Sequence, residues 1–192
     1  KAAARFVTSI TGTHPNYIAP NPTQALYGTG KGDCLAWLDW AAMRPFTEME
    51  YEKACRGGGQ LPISNEYPWG TTATTHIDSP NNRNLSNETW SVGNAAFYKP
   101  GFTQDVMRCG ALATPTSTRS SSGASFYGAM ELGGNVAEFC IVAYGPGLLF
   151  TGEHGDGYLN VNGLADASFW PNTGYGLGAR GGSATYPYGP TF

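Results

Sequence analysis

The chain has 192 residues, 41% of them hydrophobic and only 13% charged, with 27 glycines, 13 prolines and a formal net charge of −3. The 11 lysines and arginines are scattered, which excludes the clustered basic face that nucleic acid requires, and plentiful Trp and Tyr argue against disorder. No run approaches the roughly 20 apolar residues of a membrane-spanning helix.

Turn formers dominate the first thirty residues, where TGTHPNYIAPNP carries no sustained apolar period, so a surface loop is expected. The start, KAAARFVTSITG, lacks the charged and apolar regions of a signal peptide and reads as the interior or mature part of a longer polypeptide. GDCLAWLDWAAMR is the first helical segment. Asp33 is placed to cap it, Leu35, Leu38, Ala41 and Ala42 recur at helical spacing, and Trp37 and Trp40 extend the apolar face.

RPFTEMEYEKACRGGG is the second helix. Thr47 at the N-cap and Glu50 three residues on form a capping box, and Phe46 can meet Tyr51 as a hydrophobic staple. Met49, Ala54 and Cys55 continue its apolar face, and Gly57 to Gly59 end it. Glu48 and Glu50 have the look of a catalytic carboxylate pair, but at a helix start capping and the macrodipole account for them.

After Gly59 the segments EYPWG, DSPNNRNLSNETW, VGNAAFYKPG and MRCGALATP predict short strands joined by irregular loops, with no third long helix. Asn84 and Asn87 match the glycosylation acceptor pattern. EFCIVAYG is a strand, followed by Gly-rich loops and then LGARGGSATYPY. The expected fold is therefore a single α+β domain over residues 1–192, loop-rich, with two helices packed on short, mainly antiparallel strands. Cys34, Cys55, Cys109 and Cys140 lie far apart without a C-x-x-C pair. That excludes a zinc ribbon and leaves both two disulfides and buried free thiols open.

Four segments in order carry a family resemblance: MRPFTEMEYEKACRGG, YPWG, YGAMELGGNVAEFC and GARGGSA, across Arg44 to Ser183. Together they resemble the formylglycine-generating-enzyme, or sulfatase-modifying-factor, domain. CLAWLDWAAMRPFTEMEYEKACRG and FTGEHGDGYLNVNGLADASFWP are similar to surface or secreted versions from Bacteroidetes-type bacteria. The resemblance implies a C-type-lectin-like fold in its formylglycine-enzyme variant, with the family's usual N-terminal strands shortened or missing.

Enzymes of that family are copper-dependent oxidases and need two cysteines shortly after the RGGSW segment, because thiolates hold Cu(I). Here the segment is RGGSATYPYGPTF, and no cysteine follows Cys140. An iron-dependent branch uses three histidines. His14, His76 and His154 are far apart, and a tight turn explains His154 in GEHGDG better than a metal does. The resemblance implies instead a structural calcium held by Glu131, the carbonyls of Gly134 and Val136, and Glu138. A second family site would fall at Asn94 and Ala95, with Asp105 nearby.

The expected function is a non-catalytic extracellular binding or structural module that meets a protein or glycan ligand at a cell surface. Tyr175, Arg180, Tyr186 and Tyr188 are the candidate ligand-binding residues, in a C-terminal region rich in Tyr, Asn, Ser and Gly. Related domains serve as hypervariable receptor-binding proteins. Two alternatives stand beside this: a copper- or iron-dependent oxidase whose cysteines lie beyond Phe192, and a structural subunit of a surface fibre or secretion apparatus that meets other copies of itself.

Overall fold

The computed structural model describes residues 21–59, 61, 63–97, 106–171 and 175–184, and the backbone of 7–9 and 16–18. Within the first thirty residues, where a loop was expected, β1 (Val7–Ser9) and β2 (Asn16–Ile18) pair antiparallel. Helix α1 (Lys31–Trp40) starts one turn earlier than the Asp33 cap implies. Gly30 is the N-cap and Asp33 sits at the third helical position, its carboxylate accepting the Gly30 N–H at 2.9 Å. Trp37 and Trp40 do not extend the buried face. They are 56% and 62% exposed, and the helix buries Leu35, Ala36 and Asp39 instead.

Helix α2 (Glu48–Arg56) follows the sequence reading closely. Thr47 Oγ1 accepts the Glu50 N–H, Glu50 accepts the Thr47 N–H at 2.8 Å, and Phe46 stacks on Tyr51 with centroids 6.3 Å apart. Gly57 ends the helix at a φ of 85°, and a Cβ there would lie 2.8 Å from the Phe126 ring, so the Arg-Gly-Gly signature admits no larger residue. Met49, expected inside, is exposed.

Short elements follow: β3 (Pro80–Asn81) against β4 (Thr89–Trp90), and a four-residue helix α3 (Arg119–Ser122). Then come β5 (Glu138–Ile141), a 3-10 turn at Gly145–Leu149, and β6 (Leu177–Arg180). β5 and β6 pair antiparallel, Glu138 opposite Arg180 and Ile141 opposite Leu177. Side chains alternate across this ribbon. Ile141 and Leu177 pack with Leu35 of α1 and Trp170, whereas Cys140 packs with Tyr51 and Cys55 of α2.

Glu48 joins α2 to the ribbon. Its carboxylate is 8% exposed, takes Arg180 Nη2 at 2.8 Å and accepts the Ala143 N–H at 3.0 Å. Asn135 is a second internal tie. Fully buried, it pairs with both the N–H and the carbonyl of Met107, while its own backbone accepts from Ala184 and donates to Ala96. In the YPWG segment, Tyr67 and Trp69 stack at 4.7 Å, and the Trp69 indole donates to the Ala73 carbonyl. The four cysteines are free thiols, with Cys55 and Cys140 buried.

The long β5–β6 connection is anchored by Asp39, which is fully buried. Its carboxylate accepts the N–H groups of Asp156 at 3.1 Å and Asp166 at 2.9 Å, and its carbonyl accepts Gly157 N–H. Replacing Asp39 by Ala removes two bonds to a charged acceptor. A loss of roughly 2–4 kcal/mol in denaturant unfolding is expected, with new proteolytic cleavage between 151 and 166. An unchanged midpoint would contradict the anchoring role.

A second expectation concerns acid. Arg44, at 2.9 Å, holds the Glu50 carboxyl down to about 2, helped by the Thr47 N–H. A carboxyl lowered in the folded state contributes stability above its unfolded value of about 4.5, lost as pH falls towards 2. The melting-temperature gap between the native chain and Glu50→Gln should therefore close over that window. A pH-independent gap would refute the pairing.

Candidate functional site

Glu131 and Glu138 flank the Gly-rich turn that leads into β5, near enough for the charge of Glu131 to be felt at Glu138. Glu131 lies in the left-handed region, φ 59°, and its carboxylate accepts the Gly110 N–H at 2.9 Å. Burial pushes Glu131 up to about 7 against the favourable Gly110 bond. Burial also pushes the Glu138 carboxyl well above the usual carboxylate range, and neighbouring Glu131 adds to the effect. Glu138 Oε2 is buried without a hydrogen-bond partner, and a Cβ on Gly181 would lie 2.3 Å from it. The Gly134 N–H donates to the Gly181 carbonyl at 2.7 Å. An orphaned carboxylate oxygen beside a second carboxylate is a donor set that suits a hard cation.

The residues at the second calcium position are otherwise engaged. Asn94 Oδ1 accepts the Thr75 N–H at 2.9 Å, its amide donates to the Ser120 carbonyl, and the Ala95 carbonyl accepts from Ile77. The Asn94 side chain thus holds two loops together. Asp105 lies outside the described residues, as do Tyr186, Tyr188 and His14. His76 packs edge-on against Phe97, and His154 meets the Ala42 carbonyl through Nδ1 at 3.1 Å.

Arg180 has a place in the scaffold. Its guanidinium is tied to Glu48, and its Nε is buried. Tyr175, by contrast, is 74% exposed on the approach to β6. It has company that sequence reasoning missed. Tyr144 is 68% and Tyr158 74% exposed on the same β5–β6 connection, beside the exposed Leu148 and Leu149 of the 3-10 turn. Tyrosine, glycine and asparagine in that stretch were the available signal; the anchor, Asp39, was hidden inside an apolar helical pattern.

One acidic cluster stands out among the described residues: carboxylate oxygens of Asp39, Asp156 and Asp166 lie within 4.8 Å of one another. The hydrogen bonds from the Asp156 and Asp166 backbones to Asp39 account for that convergence.

A cavity of about 880 Å³ opens between α1 and the β5–β6 ribbon, with Val136 and Glu138 among its lining residues. Leu26, Tyr27, Leu38, Phe46, Phe139 and Ala179 line it, with Lys31, Cys34 and Ser183 at its margins. Sequence periodicity could not reveal it, because its walls come from four separated segments. The thiols divide by environment. Cys55 and Cys140 are pushed by burial to about 12, which keeps them protonated at neutral pH, whereas Cys34 lies on the cavity wall beside Thr29 Oγ1 at 3.4 Å.

Comparison with known proteins agrees with this anatomy. Neither a search of curated proteins nor one of solved structures returns a match. The family described as "Sulfatase-modifying factor enzyme 1-like domain" (FGE-sulfatase) matches residues 31–188, which hold helices α1 to α3, the four signature segments and the β5–β6 ribbon. The chain is a member of that family, and its fold is the family's C-type-lectin-like one.

Proposed function

We propose that this domain is a non-catalytic ligand-binding module, acting outside the cell or at its surface, whose recognition surface is the β5–β6 connection. The observation that carries this is the presentation of Tyr144, Tyr158 and Tyr175, all strongly exposed, on a loop pinned to α1 by the buried Asp39. Tyrosines give large contact area at low entropy cost, and the surrounding Gly, Asn and Ser adapt to polar partners such as a surface protein or glycan. The extracellular setting comes from the family resemblance.

Calcium serves this module as a structural ion, bound by Glu138 and Glu131 with the Gly134 and Val136 carbonyls. Its charge would compensate the two buried carboxyls, and it would stiffen the segment that leads into β5. The thiols speak against oxidase chemistry, since two are buried in protonated form and the other two lie on separate segments.

Three outcomes are expected. On a partner found by glycan- and surface-protein-array screening, Tyr175→Ala and Tyr158→Ala should each weaken binding about tenfold or more at unchanged melting temperature. Wild-type affinity in both variants would reject the loop as the recognition surface. Incubation with a cysteine-containing peptide, copper and oxygen should leave the peptide mass unchanged, and an aldehyde product would overturn the non-catalytic reading. Chelation should lower the melting temperature by roughly 5–10 °C at calcium levels well above the dissociation constant, and Glu138→Ala should abolish that sensitivity. Identical melts with and without chelator would remove the ion.

A further inference from the structure

The cavity between α1 and the β5–β6 ribbon has a largely apolar chemistry of its own, although Glu138 also contributes to its lining. Its volume, about 880 Å³, falls within the ~300–1,000 Å³ of small-molecule sites. Leu26, Leu38, Phe46, Phe139 and Ala179 give it apolar walls. The few polar groups on those walls are already committed. Thr29 Oγ1 and the Cys34 thiol face one another at 3.4 Å, and the Asp33 carboxylate is turned back to the Gly30 N–H. Glu138 is also part of the lining, and its Oε2 lies beside Gly181 and the Tyr51 hydroxyl.

Lys31 differs from these. Its Nζ donates to the Leu177 carbonyl at 2.6 Å, which uses one of three N–H donors, and no carboxylate pairs with it among the described residues. The cavity therefore combines apolar walls with one ammonium, Lys31, that has no salt-bridge partner among the described residues. A peptide laid along such walls would strand its backbone amides, and a glycan its hydroxyls, at a cost of ~1–3 kcal/mol for each buried group left unpaired. A hydrocarbon chain has no such groups, and one anionic head would neutralise Lys31.

We propose that this cavity binds a single-chain anionic amphiphile, its hydrocarbon lying between α1 and the Phe139–Ala179 face of the ribbon and its acidic head at Lys31. The site is separate from the tyrosine-bearing loop, so either assignment can fail without the other.

Dodecanoate, used below its micellar concentration with the intact chain, is the probe. Titration calorimetry should show one site per chain. Lys31→Met, which keeps the apolar stem and removes the charge, should weaken dodecanoate about tenfold and leave dodecanol unchanged. Ala179→Phe, which fills the cavity floor, should abolish binding of both. In a Cys109→Ser background, saturating dodecanoate should slow iodoacetamide alkylation of Cys34, a readout that does not depend on how well the Ala179 variant folds. Absence of binding at about 1 mM would overturn the proposal. So would unprotected Cys34 in the saturated protein, equal dodecanoate affinity in Lys31→Met, or a concentration-dependent dimer of the free protein that itself shields Cys34.

Discussion

The carboxylate of Glu48 is the contact on which the rest of the fold depends. It lies in the first turn of α2, almost fully buried, and holds the Arg180 guanidinium at the end of β6 and the Ala143 N–H just beyond β5. A half-buried arginine left without its partner would leave an uncompensated charge, which costs far more than the pair contributes. The contact thus sets the ribbon's position against α2. With that position fixed, Cys140 faces Tyr51 and Cys55 on one side, and Ile141 and Leu177 face α1 on the other. The apolar cavity, the partly buried Glu138 and the anchored tyrosine loop are all arranged around that ribbon.

Much of the family signature is scaffold by this reading. The first acidic residue of FTEMEYE is the tie to Arg180, and the third position of its capping box, Glu50, is bound to Arg44 and Thr47. Asn135 of GGNVAEF imitates a strand neighbour for Met107, and the glycine of ARGG makes room for the Glu138 carboxylate. Residues that perform these tasks persist whether or not a domain carries out a reaction, so the signature reports fold far more directly than activity.

What could be read in the sequence was local. Thr47, Glu50, Phe46 and Tyr51 interact within one turn of helix, so α2 and its staple stood out from spacing alone, and β5 stood out as the strand EFCIVAYG ahead of Gly-rich loops. The family resemblance located Glu131 and Glu138, whose burial and orphaned oxygen only the fold could display. Misreadings arose where distant chain segments decide. Asp39 sits in an apolar helical pattern but is buried because the backbone of 156–166 bonds to it, whereas Trp37 and Trp40 share the pattern's hydrophobicity and face outwards. Asp33 looked like a cap and is one, yet from the third helical position, with Gly30 as the residue capped. The partner of Arg180, Glu48, lies 132 residues away in sequence, so no local pattern could have revealed it.

A double-mutant cycle on Glu48→Gln and Arg180→Met, read by denaturant unfolding, tests the central tie most directly. Residues in one hydrogen-bonded ion pair should show a coupling energy of about 1–3 kcal/mol, with the double variant more stable than the sum of the single losses implies. Additivity within about 0.3–0.5 kcal/mol would mean that the two side chains act independently, and that the ribbon is positioned by something other than Glu48.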